Sequence, residues 1–127
     1  MASVVLDASA VLAHIGGERG SDSIGEVAAD AFISAVNLAE VISKLMERDL
    51  TAHQADAIVY RYGYEVVSFD EGLARLAGAL RPATKSLGLS LGDRACLALA
   101  QREGLPVLTA DRAWAKLAVG VEVKVIR

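Results

Sequence analysis

Four acidic residues lie beside apolar segments, in positions where carboxylates can do chemistry. Asp7 follows the apolar run VVL at 4–6, and Asp111 lies two residues beyond the run PVLT at 106–109. Asp93 opens the apolar segment DRACLALA, and Glu40 lies within NLAEVISKL. Clustered carboxylates suit hard cations such as Mg²⁺ and Mn²⁺, which prefer oxygen ligands. Such chemistry depends on whether the fold brings the four acids to one place.

Each of these acids also has a purely structural explanation. Asp7 and Asp111 each precede a helical segment and can act as its N-cap. Asp93 closes the stretch SLGD, which matches a capping box. Glu40 can pair with Lys44, one turn further along an exposed helix face. For any one acid both explanations are open, and the metal hypothesis depends on the whole set.

The alternation of strand and helix patterns predicts the scaffold that positions these acids. Apolar runs predict strands near residues 3–6, 32–34, 64–69, 106–109 and 121–126, and helical periodicity predicts helices between them. No connection resembles a tight hairpin. We therefore expect an α/β fold, a three-layer α/β/α sandwich with a mainly parallel sheet. Ligands of such sheets bind beyond the carboxyl ends of the strands, where Asp7 and Asp111 are expected.

Composition limits the class of protein. A chain of 127 residues suits one domain, and 54% hydrophobic with 23% charged residues indicates a well-filled globule. No run approaches the roughly 18 uncharged apolar residues of a spanning helix, so we expect no membrane association. A basic leader before the apolar N-terminal stretch is lacking, which argues against a signal peptide. The single cysteine, Cys96 in ACLALA, is expected to be buried. These features predict a cytoplasmic protein.

Charge and residue types exclude several kinds of site. The net charge of −3 excludes a simple basic surface for nucleic acid, so a polyanion would need bound cations as its source of attraction. His14 and His53 are far apart, which disfavours a zinc site, and no nucleophile triad pattern is present. Crowded carboxylates repel one another, so at least one carboxyl pKa is expected to be raised.

Four segments in order resemble the motifs of PIN domains and, among these, the ribonuclease toxins of the VapC family in VapBC type II toxin-antitoxin pairs. The segments are VVLDASAVLA, SAVNLAEVISKL, LGLSLGDRACLALA and LPVLTADRAWAKL, which together span nearly the whole chain. The residues that carry the motifs are Asp7, Ser9, Glu40, Asp93, Thr109 and Asp111.

The resemblance implies one PIN domain over residues 1–127, with the acids gathered at the strand ends and metal-dependent hydrolysis of RNA. It also implies a homodimer and a small VapB-like antitoxin as partner. We hypothesise that Asp7 and Asp93 are the main ligands of Mg²⁺ or Mn²⁺, and that Glu40 and Asp111 complete the site directly or through water. A water activated by the metal would then attack the phosphodiester.

Four other polar residues have two open explanations each. Ser9 and Thr109 either orient a carboxylate or water, or bond to local backbone. Arg94 and Arg112 each follow a site acid, and either contact RNA phosphate or are simply solvated.

Two other functions are also open. The first is a Mg²⁺-dependent phosphatase or phosphoacceptor domain with an aspartate nucleophile after strand one. The sequence DAS at 7–9 weakens it, because such phosphatases usually have a second acid two residues on. The second is a non-catalytic PIN-like interaction module.

Overall fold

The computed structural model describes residues 2–127, in which strands and helices alternate. The strands are β1 (Val4–Leu6), β2 (Ala31–Ser34), β3 (Glu65–Val67), β4 (Val107–Thr109) and β5 (Val123–Val125). The α-helices are α1 (Ala8–Ile15), α2 (Ser21–Gly25), α3 (Ala35–Met46), α4 (Ala52–Arg61), α5 (Glu71–Ala79), α6 (Arg81–Thr84) and α7 (Leu91–Glu103). Short 3₁₀ turns cover Ala28–Asp30, Lys85–Leu87 and Arg112–Lys116. Every predicted strand is present.

All strand pairs are parallel, in the order β3-β2-β1-β4-β5. The chain moves outward from β1 to β3, crosses back over the sheet, and continues through β4 to β5. The strand order therefore reverses between β1 and β4, and this is where an open α/β sheet forms its ligand crevice. Asp7 and Thr109 lie at that point, at the carboxyl ends of these two strands.

Side chains alternate across the sheet and create two cores. Along β1, Val4 and Leu6 pack against the layer of α1 to α4, whereas Val5 faces the opposite layer with α5 and α7. The buried Trp114, from the turn after β4, fills the second core. This arrangement confirms the predicted α/β/α sandwich. None of the helices within residues 2–127 is long and apolar enough to cross a membrane.

Side-chain caps fix the start of the three helices that carry the candidate site. The Asp7 carboxylate caps α1, and the Ser34 hydroxyl caps α3 by accepting from the Val36 amide at 3.2 Å. At α7 the predicted capping box forms: the Asp93 amide donates to Ser90 Oγ at 3.2 Å, and the Ser90 amide donates to Asp93 Oδ2 at 2.9 Å. Each of these caps satisfies an amide that the first helical turn leaves free.

Candidate active site

The Asp7 carboxylate is 4% exposed and is held by three donors. Ala10 N donates to Oδ1 at 2.8 Å, and Thr109 Oγ1 donates to Oδ2 at 2.5 Å. Ser9 Oγ lies 2.8 and 2.9 Å from the two carboxylate oxygens. Asp7 is therefore the N-cap of α1. Its carboxylate is also held in one orientation by hydroxyls near the ends of two strands, Ser9 after β1 and Thr109 at the end of β4. Ser9 and Thr109 each contact this carboxylate and each also accept from a backbone amide, Ala110 N at 2.9 Å and Asp111 N at 3.1 Å, so both expected kinds of contact are present.

Burial raises the pKa of Asp7 above its ordinary 3.8 to about 6. The hydrogen bonds from Thr109, Ala10 and Ser9 favour the ionised form and lower the pKa, but they are outweighed. The negative charge of Asp93 raises the pKa a little further. The predicted raised carboxyl pKa is confirmed, although loss of solvation contributes more than repulsion between acids.

Asp111 is connected to Asp7 through Thr109 but lies at the exposed rim. Its amide donates to Thr109 Oγ1 at 3.1 Å, and its Oδ1 accepts from Ala113 N at 2.9 Å. Asp111 therefore caps the 3₁₀ turn that follows β4, as its structural explanation predicts. Its exposed carboxylate leaves room for a further ligand.

Glu40 lies half-buried against α7, and the alternative pairing with Lys44 does not form. Lys44 instead pairs with Glu47, at 3.5 Å. Oε1 of Glu40 accepts from Asn37 Nδ2 at 2.7 Å, and the same amide donates to the Gly92 carbonyl at 3.0 Å. The face of α3 that carries Glu40 therefore borders the candidate site instead of open solvent.

The sequence analysis did not identify Asn37, which lies three residues before Glu40 on α3. It is 1% exposed and lies in phase with the buried Val41 and Leu45, four and eight residues on. That spacing is the signal that could have identified it, because residues four apart share a helix face. A polar side chain in phase with buried residues indicates a specific partner inside the protein.

The buried thiol of Cys96 is affected by the charges of three of the acids. Burial raises the pKa of this thiol, and the negative charges of Asp7, Asp93 and Glu40 raise it further. Across residues 2–127, no three acid, histidine or cysteine side chains form a preassembled metal cage. The charges of Asp7, Asp93 and Glu40 thus all act on the Cys96 thiol, whereas Asp111 lies at the exposed rim.

The two arginines next to site acids differ in their surroundings. Arg94 is half-buried and donates from Nη1 to the Ala77 carbonyl of α5 at 3.0 Å. Arg112 is exposed and donates from Nε to the Arg127 carbonyl at 3.2 Å. Arg112 is thus the more accessible of the two to a ligand at this edge of the sheet.

Comparison with known proteins assigns the chain to a family. The family model for the PIN domain matches residues 4–120. This match covers most of the chain, which therefore belongs to the PIN domain family, and PIN domains are generally nucleases. No protein among the curated ones matches the sequence.

Solved structures of toxin-antitoxin complexes share the fold. A chain of the DNA-bound VapBC from Salmonella typhimurium is 20% identical with a TM-score of 0.76, and the match covers 100% of both chains. For a toxin-antitoxin complex from Klebsiella pneumoniae the identity is 21% and the TM-score 0.73, covering 94% of this chain and 99% of that one. VapBC-5 from Mycobacterium tuberculosis is 26% identical with a TM-score of 0.65, covering 100% of this chain and 99% of that one. The resemblance seen in the motifs is thus confirmed by the family model and by the fold.

Proposed function

We propose that this PIN domain is a metal-dependent endoribonuclease, the VapC-like toxin of a type II toxin-antitoxin pair. The observation that carries the proposal is the buried Asp7 carboxylate at the switch point of the sheet, whose oxygens Ser9 and Thr109 contact and on which the charge of Asp93 acts. A carboxylate kept in a site that disfavours its charge is a common feature of functional centres. Membership of a family of nucleases supports hydrolysis of phosphodiester bonds.

The donors at this edge fit Mg²⁺ or Mn²⁺. Asp7, Glu40 and Asp93 offer only oxygen ligands, which hard cations prefer, and Asp111 can complete the set from the rim. A divalent cation would offset the unfavourable burial of the Asp7 charge and the repulsion from Asp93. When bound, the ion supplies acidity to a coordinated water and positive charge facing the phosphate.

The polar residues around the acids have distinct proposed roles. Ser9 and Thr109 hold both oxygens of Asp7 in one orientation, so that its lone pairs keep a fixed direction. Arg112 is proposed to contact an RNA phosphate at the rim. Arg94, the second proposed phosphate contact, is attached to α5 through Nη1 and its Nε is buried, so it would reach RNA only with its remaining terminal N–H groups.

The proposed partners follow from the same family. The similar structures from Salmonella typhimurium and Mycobacterium tuberculosis are VapBC complexes, which supports a small VapB-like antitoxin as the partner of this chain. We also propose that residues 1–127 form a single PIN domain that assembles as a homodimer. A toxin that cleaves cellular RNA would act in the cytoplasm.

Incubation of the purified chain with mixed RNA tests the proposal. We expect internal cleavage with Mg²⁺ or Mn²⁺, none with EDTA, and a loss of roughly 100-fold or more in Asp7→Asn and Asp93→Asn, a magnitude typical of side chains that hold a catalytic metal. Asp30→Asn makes the same charge change at the amino end of β2, the opposite edge of the sheet, and is expected to cleave like the wild type.

Two outcomes would contradict the proposal. Release of phosphate from small esters without RNA cleavage would favour the phosphatase alternative. Inactivity in both assays would favour the non-catalytic module.

A further inference from the structure

Asn37 connects the two helices that carry Glu40 and Asp93. Its side-chain NH₂ uses both hydrogens, one to Glu40 Oε1 at 2.7 Å on α3 and one to the Gly92 carbonyl at 3.0 Å on α7. One buried amide therefore sets the distance between the helix that carries Glu40 and the first turn of the helix that carries Asp93. The Glu40 carboxylate and the Gly92 carbonyl are therefore held at a fixed separation as long as the Asn37 amide stays in place.

The orientation of the Asn37 amide leaves one polar atom without a partner. Within residues 2–127 Oδ1 is buried and accepts no hydrogen bond. The flipped amide would place Oδ1 against two other acceptors, the Glu40 carboxylate and the Gly92 carbonyl, which is worse. An unsatisfied buried acceptor destabilises the fold. The unsatisfied Oδ1 therefore lowers stability at the residue that donates to Glu40. A residue that is kept for positioning Glu40 is expected to carry such a loss of stability.

Gly92 provides the space that Glu40 occupies. A Cβ added at Gly92 would lie 2.6 Å from Cδ and from Oε2 of Glu40, and closer still to Oε1. No methyl group fits at that distance, so any other residue at 92 would displace the carboxylate. Gly92 does not have a positive φ, so its backbone conformation would allow other residues. Glycine is required at this position only because there is no space for a side chain.

We propose that Asn37 and Gly92 together position Glu40 for the metal, an inference that rests on the proposed nuclease function. Asn37 holds Oε1, and Gly92 leaves room for the carboxylate next to Asp93. The hydrogen bond from Asn37 goes to Oε1, so Oε2 is the oxygen offered to the ion or to one of its waters. Neither Asn37 nor Gly92 is a ligand, and both act through Glu40.

Mn²⁺ affinity, measured by calorimetry on the intact chain, tests this role. We expect Asn37→Ala and Gly92→Ala each to bind Mn²⁺ roughly 10- to 100-fold more weakly, the usual effect of losing a group that orients a metal ligand. RNA cleavage by both variants should recover at high Mn²⁺, because added ion compensates for weaker binding. Alanine favours a helix over glycine, so Gly92→Ala keeps α7 folded even if Asn37→Ala is destabilised.

Gly72→Ala is the matched control. Gly72 is the second residue of α5, as Gly92 is of α7, and a Cβ there would meet only Asp70 Oδ1, at 3.4 Å. It should bind Mn²⁺ like the wild type. A double-mutant cycle adds a second test: in a Glu40→Ala background, Gly92→Ala should change Mn²⁺ affinity by less than about 2-fold, because no carboxylate remains to displace.

Asn37 is the single asparagine of the chain, so ¹⁵N-asparagine labelling gives one side-chain NH₂ signal to follow by NMR. Mg²⁺ should shift this signal in the wild type and leave it unchanged in Glu40→Ala. Wild-type Mn²⁺ affinity in Asn37→Ala and Gly92→Ala would overturn the positioning role and leave the proposed nuclease intact. A wild-type chain that neither binds Mn²⁺ nor cleaves RNA would overturn both.

Discussion

Replacement of Asp7 by asparagine should change how stability depends on pH. In the folded metal-free chain the pKa of Asp7 is raised from 3.8 to about 6, mainly by burial. At roughly 1.4 kcal/mol per pKa unit, this makes the fold about 3 kcal/mol less stable above pH 6 than it is with Asp7 protonated. The amide side chain of the Asp7→Asn variant would never ionise, and asparagine is as good an N-cap as aspartate, so α1 keeps its cap.

The direction of the effect follows from proton binding. Between about pH 4 and pH 6 the folded chain keeps the Asp7 proton while the unfolded chain has lost it. The contribution of Asp7 to stability is therefore greatest below this window and falls as the pH rises through it. The free energy of unfolding of Asp7→Asn, minus that of the wild type, should rise by about 2 to 3 kcal/mol between pH 4 and pH 7.

Urea denaturation in EDTA at a series of pH values measures this difference. Changes in hydrogen bonding between the two side chains add the same offset at every pH, so the slope reports ionisation alone. The Asp30→Asn variant, which makes the same charge change at an exposed position on the opposite edge of the sheet, is the matched control. A difference that stays constant from pH 4 to pH 7 in Asp7→Asn would refute the claim that burial controls this carboxyl.

Three further predictions concern the same region. Mn²⁺ at 100 times its dissociation constant should stabilise the wild type by about 2.7 kcal/mol in urea titrations and leave Asp7→Asn unchanged; equal stabilisation of both would place the ion elsewhere. Thr109→Val removes the donor to Asp7 Oδ2, so at pH 7 it should cost roughly 1 to 3 kcal/mol by the same measurement, and a cost near zero would contradict that hydrogen bond. The buried Cys96 thiol, whose pKa is raised, should react with a thiol reagent only as fast as the chain unfolds, whereas rapid reaction of the native chain would contradict its burial.

Local patterns were sufficient to predict the strands, most helices and the acids. Strand and helix periodicity are properties of neighbouring residues, and so are the caps at Asp7, Ser90 and Asp111. The parallel sheet followed from the absence of hairpins. These features need no knowledge of which elements meet in space.

Contacts between distant elements could not be predicted in this way. The burial of Asn37 and the space left by Gly92 arise because α3 packs against α7, and the two residues are 55 positions apart. The same packing decides that Glu40 borders a site and does not pair with Lys44. Repulsion among acids was the expected cause of a raised pKa, whereas the depth of Asp7 below the surface, a property of the whole fold, has the larger effect.

The stability of Asp7→Asn also separates the structural and functional explanations of this residue. If Asp7 were a helix cap in a solvated position, asparagine would replace it with little change at any pH, since both residues cap equally well. A carboxylate selected only for stability would lie where water could solvate it, because burial at neutral pH destabilises the charged form. Asp7 instead is buried at the carboxyl end of β1, where Ser9 and Thr109 contact its oxygens. Asp7→Asn can be compared with the wild type at pH 7 in three measurements. If the variant is more stable, inactive on RNA and no longer stabilised by Mn²⁺, then Asp7 lowers the stability of the metal-free fold and serves to bind the metal ion.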